Sequence, residues 1–152
     1  MNKKTRFGFM AVLILALLLV TVAGVQARRN FLYLNWREVV PFGSGNPNMD
    51  GEANIDINAG QAQVCYTLRV FIYTGPWPPT GATINNAPAG ANGPVVVDLN
   101  PQFGPLGNPY ASACVTTSSS VAHNIQRNPT DYYLLVTDAD HPDGAARAQL
   151  SK

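Results

Sequence analysis

The chain is poor in charge and in histidine. Only 12% of its residues are Asp, Glu, Lys or Arg, and its two histidines, His123 and His141, lie in separate segments. An imidazole metal centre needs both close together with further ligands beside them, and neither segment supplies these. Sparse charge of mixed sign leaves no basic footprint for phosphates, which argues against nucleic acid as a partner. Catalytic signatures are missing too. No Ser stands in a nucleophile elbow near a His and an Asp, and no Gly-rich loop opens a helix; Gly104 and Gly107 lie between prolines and read as loop. The only Asn-x-Ser/Thr run, Asn128-Pro129-Thr130, is blocked by its proline. Cysteine is limited to Cys65 and Cys114.

Long apolar runs are confined to the N-terminus. Met1–Phe9 carries Lys3, Lys4 and Arg6 and no acid, Met10–Val22 is apolar apart from Thr21, and Val25-Gln26-Ala27 follows. A basic start, a short apolar run and a small-x-small end are the order of a secretory signal. The run is short for a membrane span, which needs roughly 20 residues. This predicts cleavage after Ala27, with an uncleaved anchor as the alternative, and a mature domain of residues 28–152. With Lys3, Lys4 and Arg6 removed, seven basic residues face nine acidic ones, a net charge of −2. The expected location is the cell envelope or the outside, with no membrane contact after cleavage. In that compartment an even pair of cysteines predicts a Cys65–Cys114 disulfide, with two free thiols as the alternative.

With 13 Gly and 12 Pro and little charge, the composition suits a loop-rich all-β domain. Phe31–Val39 alternates apolar and polar residues and reads as a strand. Glu52–Asn58 and Gln61–Tyr73 alternate as well and are joined by Asn58-Ala59-Gly60, so they predict a hairpin. In the second of these, Val64, Tyr66, Leu68, Val70 and Ile72 share one face. Gln63, Cys65, Thr67 and Arg69 share the other, which puts the disulfide on an outer or edge side. Gly75–Pro79 is barred from a central strand because proline lacks the ladder donor. Short strands follow at Ala82–Ile84, Val95–Leu99, Tyr110–Thr117, Tyr132–Thr137 and Ala145–Leu150. The one helical signal is Ser119–Asn128, capped by Ser118 or Ser119 and ended by Pro129. Seven or eight such strands, each with one apolar face, suggest a sandwich or barrel, with two sheets packed face to face.

Several runs resemble the chordin-type (CHRD) domain over about Phe31 to Leu150. They are Glu38-Val39 with Pro41, Cys65-Tyr66-Thr67-Leu68, Asn92-Gly93-Pro94-Val95-Val96, Cys114-Val115-Thr116, and a C-terminal set that includes Tyr133, Gly144, Arg147, Gln149 and Leu150. The resemblance implies an immunoglobulin-like β-sandwich and no catalytic reaction; with the strand and helix signals, the expectation is a Greek-key, immunoglobulin-like β-sandwich of about seven or eight strands with one short helix and no cofactor. The family usually carries His-x-His just before the Asn-Gly-Pro turn and a further His in the Tyr-Tyr strand. Here those positions are Thr83, Asn85 and Thr137, which are poor ligands for a transition metal.

Three further features have two readings each. Asp138–Gly144 (DADHPDG) has a calcium-loop flavour, but its acids are wrongly spaced and the closing Glu is missing, so a hairpin turn is the plainer reading. Trp77 within GPWPP, with Tyr73 and Trp36, forms a sugar-binding platform if all three stand exposed on one face; otherwise Trp77 covers a sandwich edge. Arg147 is expected to be structural, bonding loop carbonyls or a carboxylate such as Asp98 or Asp140. The resulting expectation is an exported, non-catalytic binding or structural module without metal, whose partner is a protein, a polymer or another copy of itself. The rivals are a metal-binding protein or enzyme and a carbohydrate-binding module.

Overall fold

The computed structural model describes residues 28–75, 78–104 and 109–151. The expected signal, residues 1–27, and Trp77 lie outside the described residues. Eight strands appear in chain order: β1 (Arg28–Asn35), β2 (Met49–Asn58), β3 (Gln63–Ile72), β4 (Pro79–Asn86), β5 (Val95–Asp98), β6 (Tyr110–Thr116), β7 (Tyr132–Asp138) and β8 (Ala146–Gln149). Among the described residues one α-helix, α1 (Ser119–Arg127), connects β6 towards β7. Its cap is Ser118, whose hydroxyl accepts from the Val121 amide. Among the described residues, no helix is long and apolar enough to cross a membrane.

Strict alternation builds the predicted hairpin. β2 and β3 pair antiparallel from Met49 opposite Ile72 to Asn58 opposite Gln63. Their inner residues Ile55, Ile57, Val64 and Leu68 are fully buried. Each such side chain contributes about 1.5–3 kcal/mol by leaving water. Ala82 and Ile84 of β4 and Leu134 and Val136 of β7 join the same core, and Ala122 and Ile125 of α1 pack against it. The alternation also fixes the outer side: Cys65 sits opposite Cys114 on the neighbouring β6, an edge strand, and the two are bonded.

All strands belong to one antiparallel sheet, in the order β5-β4-β7-β8-β1-β2-β3-β6. The expected pair of separate sheets is therefore corrected in one respect: the two four-stranded halves are continuous. Their junction is minimal, since β1 meets β8 through a single partner pair, Asn35 with Arg147. Such a junction lets the sheet fold back on itself, so that both halves face one core.

Three local readings change. The strand expected over Phe31–Val39 stops at Asn35, and Trp36–Glu38 forms a 3₁₀ turn. The Asn35 side chain accepts from the Arg37 amide at 2.8 Å, and this capping bond competes successfully with continued pairing. The Ala82–Ile84 strand is longer than expected, because β4 begins at Pro79. Proline is tolerated there as the first strand residue, beside an irregularity in the ladder between Pro79 and Gly81. Finally, Pro129 ends the helix but opens a second 3₁₀ turn, Pro129–Asp131, that leads into β7.

Candidate functional site

The residues singled out by the C-terminal and Asn-Gly-Pro motifs gather on the outer face of β4, β7 and β8. Strand register dictates this. Asn85 lies opposite Tyr133, Thr83 opposite Leu135, Leu135 opposite Arg147, and Tyr133 opposite Gln149. Directly opposed residues of an antiparallel pair project to the same side. Their neighbours Ile84, Leu134 and Ala148 project to the core.

Arg147 is the centre of this layer. It is 1% exposed, and its guanidinium stacks 3.6 Å from the centre of the Tyr133 ring. It donates to the carbonyls of Ala91 at 2.9 Å and Pro88 at 3.1 Å and to the Gln149 side chain at 3.2 Å, with a longer contact to Asn92 at 3.5 Å. The acceptors are thus loop carbonyls and amides, and the expected carboxylates Asp98 and Asp140 are not among them. Asp98 accepts instead from the Asn100 amide. Burial pushes the Arg147 pKa down, against the opposing electrostatic influence of Tyr133 and Glu38. The ordinary value is so high that the group stays charged. Gln149 continues the clamp, donating to the carbonyls of Ala87, Thr130 and Tyr132.

Two strand residues therefore fasten the loop from Ala87 to Gly93 onto the sheet. The Asn-Gly-Pro turn completes it. The Asn92 side chain donates to the Val40 carbonyl at 3.0 Å, and the Gly93 amide donates to the Tyr133 hydroxyl at 3.2 Å. Gly93 is obligatory for packing, because a Cβ there would run into the carbonyl oxygen of Asn86. Pro94 is exposed, and its carbonyl accepts from the Asn86 amide, where β4 and β5 meet.

Thr83, Asn85 and Thr137 share this outer face. Thr83 donates to the Asn85 side-chain oxygen at 2.7 Å, the Asn85 amide donates to the Gly93 carbonyl at 3.2 Å, and Thr137 contacts the Thr80 hydroxyl at 3.2 Å. Hydroxyls and amides here satisfy one another and the turn. Beside Asn85 lies an open cleft of about 500 Å³. Its floor includes Tyr133 and Leu135, and its walls are Val39–Pro41, Asn92-Gly93 and the Asp140–Gly144 turn.

That turn is organised by Asp138, which the sequence presents only as the first acid of the calcium-like run. Asp138 is 1% exposed. Its carboxylate accepts from Asn46 Nδ2 at 2.7 Å, from the amides of Asp140 and His141 at 3.0 and 2.7 Å, and contacts His141 Nδ1 at 2.9 Å. It is turned into the protein and engaged there, which removes the first oxygen of the supposed calcium loop. Gly144 closes the turn at a φ of +143°, a region open to glycine. Asn46 is itself buried and stands 92 residues away in sequence, so no local signal links the two. Among the described residues, no three His, Cys, Asp or Glu side chains gather to hold a metal ion.

Burial alone would raise the Asp138 pKa, but the hydrogen bonds from Asn46 and His141 outweigh it and leave the carboxyl below its ordinary range. A lowered folded-state pKa stabilises the protein at every pH above the unfolded carboxylate value, about 4, and that contribution is lost as pH falls through the lowered value. Urea midpoints should therefore drop below about pH 4 more steeply in the native chain than in Asp138→Asn. The variant should already be weaker by about 2 kcal/mol at neutral pH, since its amide meets donors where the carboxylate accepted. Parallel acid profiles for the two proteins would show that Asp138 does not couple folding to pH.

Of the alternative sugar platform, Trp77 lies outside the described residues. Tyr73 is 63% exposed and near Asp50, whereas Trp36 is half-buried with the Arg37 guanidinium over its ring. His123 lies exposed on α1, apart from the His141 turn. A family model described as the CHRD domain matches residues 33–150. No curated protein and no solved structure matches the chain.

Proposed function

The chain belongs to the CHRD-domain family, and from that premise we propose that it is an exported, non-catalytic module that binds or scaffolds. The observation that carries this reading is how the signature side chains are used. Arg147, Gln149 and Tyr133 direct their polar atoms at the Ala87–Gly93 loop, not outwards at a substrate. These groups build a rigid platform under a cleft, and the cleft carries the exposed chemistry. The Cys65–Cys114 disulfide supports a location outside the cytoplasm, as does the signal read over residues 1–27. The two halves, joined at one pair, are in this reading the two sheets of an immunoglobulin-like Greek-key sandwich. The partner is a protein, a polymer or a second copy.

The test compares the native protein with the histidine pattern of its relatives. Thr83, Asn85 and Thr137 lie on one sheet face, with Thr137 opposite Gly81 and so diagonal to Thr83. Diagonal side chains approach within about 7 Å, close enough for imidazoles to share an ion. The full chain, recovered from outside the cytoplasmic membrane without residues 1–27, should carry no stoichiometric zinc or copper after dialysis. The triple variant Thr83→His, Asn85→His, Thr137→His should bind zinc at least about tenfold more tightly. Stoichiometric metal in the native chain, or its recovery only from the cytoplasm, would overturn the reading.

A further inference from the structure

The other half of the sheet presents a different surface. On the outer face of β1, β2, β3 and β6, register sets two rows across the strands. One runs Phe31, Asn54, Thr67, Ser112, and the next runs Tyr33, Glu52, Arg69, Tyr110. Three of the four row ends are aromatic, Ser112 being the fourth, and the middle is polar. Phe31 is 50% exposed, Tyr33 69% and Tyr110 48%. Phe31 and Tyr33 meet edge to face at 4.9 Å, which fixes the Phe31 ring at one side. Between Phe31 and Tyr110 lies a shallow groove of about 150 Å³, floored by Glu52, Asn54, Thr67 and Arg69.

The polar floor is uncommitted. Glu52 and Arg69 are direct cross-strand partners of opposite charge, yet they form no ion pair. Among the described residues, neither side chain, nor that of Asn54 or Thr67, has a hydrogen-bond partner. The groove thus offers a carboxylate, an amide, a hydroxyl and a guanidinium, between two exposed rings. One acid and one base cancel, so the surface selects neither an anionic nor a cationic ligand. The polar strip also separates the aromatic ends, so there is no continuous apolar patch for a bilayer or a protein core. The row from Tyr33 to Tyr110 crosses three strand spacings, about 14 Å.

We propose that this face binds a neutral polysaccharide chain. Phe31 and Tyr110 present ring faces to the C–H faces of sugars, and the four polar side chains exchange hydrogen bonds with hydroxyls. The inference rests on the reading of the protein as a non-catalytic binding module, and it supplies the ligand class.

Calorimetric titration of the full chain with cellohexaose and with chitohexaose tests it. Binding of at least one is expected. Phe31→Ala and Tyr110→Ala should each weaken it about tenfold, with melting temperatures within about 3 °C of native because both rings are surface groups. Phe42→Ala, on the distant loop beside Gly90, should leave binding unchanged. No binding of either sugar, or binding unaffected in the Phe31→Ala/Tyr110→Ala double variant, would overturn the proposal. New reducing ends in the titrated sugar would instead sink the non-catalytic reading while leaving the platform intact. Binding only to carboxylated or sulfated polymers, abolished by salt, would also overturn it.

Discussion

Replacing Arg147 with Ala should lower stability by about 3–5 kcal/mol, because each buried acceptor left without a donor costs about 1–3 kcal/mol and the lost side chain leaves a cavity. Four acceptors around the loop lose their donor, the Tyr133 ring loses its stacked partner, and a cavity opens where a 1% exposed side chain had filled the layer. A midpoint drop of about 10–20 °C is expected for a domain of this size. Arg147→Lys should lose about half as much. It keeps the charge but cannot span the Pro88 and Ala91 carbonyls together, because a single ammonium has no planar fork. An unchanged melting temperature in Arg147→Ala, with sugar or protein binding lost, would move this residue from scaffold to recognition.

Removal of the disulfide should have a similar effect. The bond closes a 49-residue separation. The chain-entropy account gives about 4 kcal/mol for that length, as an upper figure. In the folded state the cross-strand register between β3 and β6 persists without the bond, so the loss comes mainly from the freed unfolded chain. Cys65→Ser with Cys114→Ser should therefore lower the urea midpoint strongly with little change in the native β-sheet signal. Thiol titration of denatured, unreduced protein should find none. Two free thiols, or a dimer that disappears with Cys65→Ser, would contradict an intramolecular bond.

The legible parts of this fold are those in which side-chain type alone sets the outcome. Alternation over Glu52–Asn58 and Gln61–Tyr73 reveals a hairpin because a half-buried strand must alternate, and the same phase places Cys65 on the outer side. Ser118 and Pro129 mark the helix ends through capping and the missing amide. Arg147 reads as structural, but its acceptors do not show, because the carbonyls of Pro88 and Ala91 belong to the backbone and carry no residue signature. Asp138 escapes for a related reason. Its partner Asn46 lies in a loop 92 residues away, and an Asp in a turn looks solvent-facing until the turn is folded. The aromatic groove was also hidden. Phe31 and Tyr110 are brought to one face only by strand register across β1, β2, β3 and β6, whereas the sequence pattern points to Trp36, Tyr73 and Trp77 instead. The continuity of the sheet through Asn35 and Arg147 rests on one backbone pair, which no side-chain pattern encodes.

That single junction ties the first described strand to the last. β1 begins at Arg28 and β8 ends at Gln149, and Leu150 still bonds the Tyr132 carbonyl. During synthesis the chain grows from its N-terminus, so the seam cannot form until β8 has left the ribosome. The β2–β3 hairpin can pair early, but the Ala87–Gly93 loop must wait for Arg147 to arrive. Until Arg147 emerges, the Ala87–Gly93 loop lies unfastened and the two halves of the sheet have no shared seam, so the strand that joins the halves is also the one that locks the loop.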